Sequence, residues 1–155
     1  MRRKEREITD RSRMLDVLAA CPCFRLGITD GDDAYIVPLS FGLYSDGSRI
    51  SIYFHSATEG RKIELLKKTP RVTFEADIQK SVTGGDVPCS WTSFYECVMG
   101  HGIVTFIEDP EEKARAFNLI MEHYSGKGDW TFPESALART ALLRLDVTDW
   151  TCKIH

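Results

Sequence analysis

The chain has 155 residues, enough for one domain that buries about two-thirds of its unfolded surface. With 43% hydrophobic and 28% charged residues and a net charge of −3, it reads as globular and lacks the basic excess of a nucleic-acid binder. No apolar run approaches the ~20 residues of a membrane span and the start has no apolar signal core, so neither membrane nor nucleic acid is an expected partner and the cytoplasm is the expected place.

The basic cluster at the start, Arg2-Arg3-Lys4 and Arg6, is interrupted by Glu5 and Glu7 and reads as a solvated tail. Asp10 then offers an N-cap, and Met14, Leu15, Val17 and Leu18 share roughly one face, which predicts a helix over 11–20 closed by Cys21-Pro22. Cys23 to Thr29 alternates at period two and predicts a strand with Phe24, Leu26 and Ile28 on one side. After turn residues at 30–33, positions 34–44 predict one further strand. Pro38 within it removes a ladder donor and marks an edge, a bulge or a neighbour other than a strand, and Gly42 marks a bend or a close approach.

Ser45-Asp46-Gly47-Ser48 is a hairpin turn. Ile50 to Phe54 predicts a strand, Arg61 to Lys68 a short helix stopped by Thr69-Pro70, and Arg71 to Ile78 a strand. Residues 79–88, with Gly84-Gly85 at the centre, predict a loop long enough to suspect function. A long strand over 94–106 should bend at Gly100 and Gly102. Asp109-Pro110 opens a helix that runs to Tyr124 and ends at Ser125-Gly126. An irregular loop with Trp130 and Phe132 follows, and the alternation of 141–150 predicts the last strand. Six strands joined mostly by hairpins, with three helices, predict a mainly β fold in one domain over 1–155. It should be an antiparallel six-stranded barrel, closed or partly open, with peripheral helices.

The five cysteines (Cys21, Cys23, Cys89, Cys97 and Cys152) are odd in number and are expected to be reduced. Cys21-Pro22-Cys23 is C-x-C with no second close pair, so no metal site is expected.

Chemistry concentrates between Tyr53 and Leu66, where a strand delivers His55 to a turn that opens a helix with Arg61 and Lys62 in its first turn. Cations there oppose the helix dipole. A phosphate held by free backbone N–H groups and the two side chains would relieve that mismatch, although two cations facing water would need no ligand.

Taken together, the chain resembles the flavin-binding split-barrel family related to pyridoxamine 5′-phosphate oxidase, in its nitroimidazole-resistance (Nim) type. The resemblance rests on the arginine-rich start, Cys23 to Gly27, Tyr35 to Gly42, Tyr53 to Ala57 with Gly60-Arg61-Lys62, Tyr95 to Gly102, the Glu111-Glu112-Lys113 helix start and the ending from Leu145 to Lys153. It implies a homodimeric split barrel with FMN in grooves between subunits. Val37, Pro38, Leu39 and Ser40 would run beside the isoalloxazine, and His55, Ser56 and Ala57 would lie near its ring or ribityl edge. Arg61 and Lys62 would hold the phosphate, and the partner would contribute from around Trp91, Thr92, Ser93 and Tyr95. The ending departs from the pattern: Cys152 stands where a glycine is expected, and a cysteine does not readily take the positive φ of a glycine turn.

The resemblance further implies an FMN-dependent oxidoreductase. A reduced nicotinamide would supply electrons to a small acceptor such as a nitroaromatic, with His55 as the catalytic contact. His101 and His123 are assigned to structure or solvent. Trp91, Tyr95, Trp130 and Phe132 read as core or dimer contacts, although either loop could roof a planar flavin. Pyridoxamine-phosphate oxidation fits less well, because no second basic cluster is present to hold a substrate phosphate. A non-catalytic flavin- or haem-binding protein is the alternative from another class.

Overall fold

The computed structural model describes residues 3–155, so Met1 and Arg2 of the basic arm lie outside the described residues. Its elements in chain order are β1 (Glu7–Ile8), α1 (Arg11–Ala20), β2 (Phe24–Asp30), β3 (Asp33–Leu39), β4 (Phe41–Ser45), β5 (Ile50–Ala57), α2 (Arg61–Lys68), β6 (Arg71–Thr83), β7 (Thr92–Ile107), α3 (Pro110–Ser125), α4 (Glu134–Ala138) and β8 (Thr140–Ile154). The helix ends follow local chemistry. Asp10 accepts the Arg13 N–H at 2.8 Å and Asp109 the Glu112 N–H at 2.8 Å, while Gly126 closes α3 at φ 71°. Among the described residues no helix is long and apolar enough to cross a membrane.

The sheet is antiparallel in the order β3-β2-β6-β7-β8-β5-β4, with β1 added to β8. Its two outermost strands, β3 and β4, are consecutive in the chain and do not pair with each other; Ser40 alone joins them. The barrel is therefore split along a seam between β3 and β4. The single strand expected over 34–44 is two strands on opposite sheet edges. Together with the two-residue β1, this raises six expected strands to eight. Pro38 lies on the edge strand β3, where its missing N–H costs no second ladder.

Three further expectations change. The 79–88 loop shortens because β6 continues to Thr83 and pairs with β7 as a projecting hairpin. A fourth helix, α4, forms in the segment before the last strand, which itself extends to Ile154. Cys152 is fully buried in that strand, opposite Val98, so no turn and no positive φ is required of it.

Phe24, Leu26, Phe41, Ile52, Phe54, Phe74, Leu143 and Leu145 fill the barrel, each fully buried phenylalanine contributing about 2 kcal/mol of transfer free energy. Met14, Val17 and Leu18 of α1 join this core. A second cluster sits outside the barrel: Ala116 and Ile120 of α3 pack on Tyr53, Ile107 and Leu142. Gly42 makes that docking possible, because a Cβ there would stand 2.5 Å from the backbone of Leu119 and Ile120. The bend expected at Gly100 and Gly102 is a register shift of the β7–β8 ladder between His101 and Gly102. Burial pushes the Cys21 and Cys152 thiols up to about 12 and about 11, aided by nearby carboxylates, so neither is a thiolate at neutral pH.

Candidate functional site

Seven of the sequence-predicted residues border the seam. Along β3, Val37 and Leu39 turn towards the core, while Pro38 and Ser40 are exposed on the outer side. The β4–β5 ladder ends with Phe41 opposite Phe54, and one residue further along each chain come Ser40 and His55. This register sets the exposed end of β5 (His55, Ser56 and Ala57) beside the seam. The chain then turns at Gly60, whose φ of 115° a side chain would strain, and α2 begins at Arg61. No side chain caps α2, so its first backbone N–H groups have no side-chain partner.

The two cations of that turn differ. Arg61 forms an ion pair with Asp30 at the end of β2, and its guanidinium lies 5.5 Å from the centre of the Tyr35 ring. Its charge is therefore already met by Asp30 in this structure. Lys62 is half-buried and has neither an ion pair nor a hydrogen bond among the described residues. Its burial pushes the ammonium pKa down.

His55 is set apart from the other histidines in the same way. His101 meets the Thr73 hydroxyl at 3.0 Å, His123 donates to the Cys21 carbonyl at 3.0 Å, and His155 donates to the Ser93 carbonyl at 2.7 Å. Neither ring nitrogen of His55 has a partner among the described residues. Its ring lies 5.7 Å from that of Phe117 on α3. Burial on that side and then the nearby Lys62 charge hold its pKa below the usual value, so the imidazole is neutral at neutral pH.

Trp91, Thr92, Ser93 and Tyr95 are not brought to this place. His55 pairs with Leu142 near the start of β8, whereas Tyr95 exchanges backbone hydrogen bonds of 3.3 and 2.9 Å with His155 at its end. The intervening chain from residue 142 to residue 155 is about 43 Å of extended strand at ~3.3 Å per residue. Around Tyr95, the Lys153 ammonium stands 5.3 Å from the ring centre and Ser93 accepts from Gln79 at 3.2 Å. Trp91 lies over Gly84 with 61% of its surface exposed.

Asp30, Tyr35 and Phe117 escape the sequence reading of the site, whereas Phe132 stands in it only as a core or dimer contact on a loop that could roof a flavin. Tyr35 and Phe117 belong to ordinary alternating and helical stripes, and nothing local marks them as neighbours of Arg61 or His55. A cavity of about 400 Å³ adjoins the end of β5, lined by Thr58, Ile63, Lys113 and by Thr140, Ala141 and Leu142, the strand partners of Ala57, Ser56 and His55; another of about 170 Å³ is lined by Tyr44, Arg49, Tyr53, Arg115 and Arg144.

Comparison with known proteins bears on this geometry. A family model described as pyridoxamine 5′-phosphate oxidase matches residues 10–154. A search of the curated proteins finds no match. Among solved structures, a candidate 5-nitroimidazole antibiotic resistance protein of Bacteroides thetaiotaomicron is 30% identical, with a TM-score of 0.82 over 96% of this chain and 86% of that one. The flavocytochrome Anf3 of Azotobacter vinelandii (18% identity, TM-score 0.82, 100% and 72% covered) shares the fold. So does an FAD and heme binding protein of Mycobacterium smegmatis (18% identity, TM-score 0.82, 96% and 73% covered). The matched model spans nearly the whole barrel, seam and α2 included, and the chain belongs to the pyridoxamine 5′-phosphate oxidase family.

Proposed function

We propose that the chain is an FMN-dependent oxidoreductase that works as a homodimer, passing electrons from a reduced nicotinamide to a small acceptor such as a nitroaromatic. The carrying observation is the pairing of Lys62, a half-buried ammonium with no carboxylate partner among the described residues, and His55, an imidazole with no hydrogen bond among them, beside an unpaired strand edge. A cofactor phosphate suits the first: it would meet Lys62 and the uncapped N–H groups of α2, with Arg61 adding charge from its Asp30 pair. The β3 edge suits a flat ring system, since Pro38 and Ser40 present little bulk and no paired strand covers them.

Bound FMN would supply the hydride and electron chemistry. The protein's share is position and electrostatics. Val37 to Ser40 would orient the ring, and Ser56 and Ala57 would border its ribityl side. His55, kept neutral, can donate from one ring nitrogen while accepting at the other, and so can hold a proton beside an acceptor that gains negative charge.

Homodimer formation is the reading that accounts for Trp91, Thr92, Ser93 and Tyr95, which within one chain lie far from the seam. Exposed Val82, Val87, Trp91 and Phe94 on the projecting hairpin, and Ile36 and Met99 on the barrel's outer face, give apolar surface for a second copy. The visible spectrum of the purified protein tests the cofactor. Bands near ~370 and ~450 nm with FMN released on denaturation support the reading, a Soret band would assign His55 to haem, and a colourless protein that takes up no FMN overturns it. Catalytic turnover of reduced nicotinamide with a nitroaromatic separates an enzyme from a flavin store, which would react only stoichiometrically.

A further inference from the structure

The segment 127–133 has no regular structure, yet it is fastened to one face of α3. Asn118 grips it twice, donating from Nδ2 to the Trp130 carbonyl at 3.0 Å and accepting the Trp130 N–H at 2.8 Å. The indole Nε1 of Trp130 closes the segment on itself by donating to the Lys127 carbonyl at 3.1 Å. What this clasp delivers is Phe132, whose ring centre lies 5.4 Å from that of Phe117 at an interplanar angle of 40°. Phe117 in turn stands 5.7 Å from the His55 ring. His55, Phe117 and Phe132 therefore form a chain of ring contacts, and neither phenylalanine is fully buried.

We infer that Phe117 and Phe132 form the wall of an acceptor subsite beside His55, and that this wall selects acceptors with a flat aromatic ring. The inference rests on the FMN reading for its redox role, though not for its geometry. Aromatic faces accept another ring in offset or edge-on contact with centres 4.5 to 7 Å apart, as the three side chains already do with one another. A ring lodged against the wall would have the neutral imidazole of His55 at its edge, where a nitro or carbonyl oxygen can take the ring N–H. A saturated or inorganic acceptor would gain the imidazole contact but not the stacking. Asn118 and Trp130 are positioning residues: they hold Phe132 where it can serve and touch no acceptor themselves.

The test is equilibrium binding of 2-methyl-5-nitroimidazole to the FMN-loaded protein, followed by the His55 proton resonances. Phe132→Leu keeps most of the apolar volume and removes the aromatic face, and Phe132→Ala removes both. The expected result is about tenfold weaker binding in Phe132→Ala and an intermediate loss in Phe132→Leu, with FMN still bound by both variants. Wild-type affinity for the nitroimidazole in both variants would overturn the wall and leave the FMN reading standing. Should the wild-type chain take up no FMN, the cofactor reading fails, and the same titration of the FMN-free chain judges the wall alone. Binding lost in Phe132→Ala would then support it, and no binding to the wild-type chain would overturn it.

Discussion

His55 and Tyr95 lie at opposite ends of β8, the first opposite Leu142 and the second in a reciprocal backbone pair with His155. If both serve one flavin, they must come from different chains. Two-fold symmetry then makes two equivalent sites per dimer, each drawing on both chains. Light scattering should report twice 17.6 kDa. Lys62→Ala and Tyr95→Ala chains should each bind FMN weakly, whereas co-refolding them in equal amounts should restore about a quarter of the sites, because random pairing places both defects in one site of each mixed dimer. A flavin-loaded monomer, or no recovery on mixing, would refute the shared site.

The contrast between Arg61 and Lys62 predicts unequal effects on cofactor binding. Lys62→Ala removes a half-buried charge with no other partner among the described residues, and FMN should bind about 30-fold more weakly, the worth of a charge-assisted bond near ~2 kcal/mol. Arg61→Ala removes a charge already engaged with Asp30, so its effect should be several-fold smaller. The FMN-free Lys62→Ala protein should be no less stable than wild type, since burial disfavours the charged ammonium. Titration of flavin fluorescence decides this, and equal losses in the two variants would remove the distinction.

The local signals in the sequence were read at short range and held at short range. Asp10, Asp109 and Gly126 bound their helices because capping is decided within four residues. Positions 34–44 alternate without a break, so nothing local shows that Ser40 carries the chain from one sheet edge to the other. That jump is a property of the closed sheet. Arg61 shows the same limit at the site: its helical position was legible, but its Asp30 partner lies 31 residues away on another strand. Phe117 reads as one more apolar position of α3, and only the packing of α3 on β4 and β5 sets it against His55. Cys152 looked like a defect in a turn because the sequence did not show that β8 runs on through it.

Gly42 is predicted to tolerate no larger side chain without a shift of α3. A methyl group there meets backbone atoms of Leu119 and Ile120 at 2.5 Å, and a helix backbone cannot rotate aside as a side chain can. Gly42→Ala should push α3 off β4 and cost about 3 kcal/mol. The same shift would displace Tyr124, whose hydroxyl accepts the Phe41 N–H at 3.2 Å and donates to the Pro22 carbonyl at 3.0 Å. Urea unfolding measures the loss, and a change under ~0.5 kcal/mol would show that the contact yields.

Two histidines should make stability fall on the acid side. Burial pushes the pKa of both His55 and His123 down in the folded chain, with Lys62 adding to the effect at His55 and the hydrogen bond to Cys21 partly offsetting it at His123. Above the unfolded-state value of ~6.5 both states are neutral at these positions and stability should not depend on them. Below it the unfolded chain takes up protons first, so stability declines as pH falls, and the decline from these groups ends only once the folded-state imidazoles also protonate. His123→Gln can keep a donor for the Cys21 carbonyl, and His55→Gln gives up no hydrogen bond. The double variant should therefore lose less stability than wild type between neutral pH and ~5, measured by urea unfolding at each pH. Parallel curves for the two proteins would assign the acid sensitivity to the carboxylates instead.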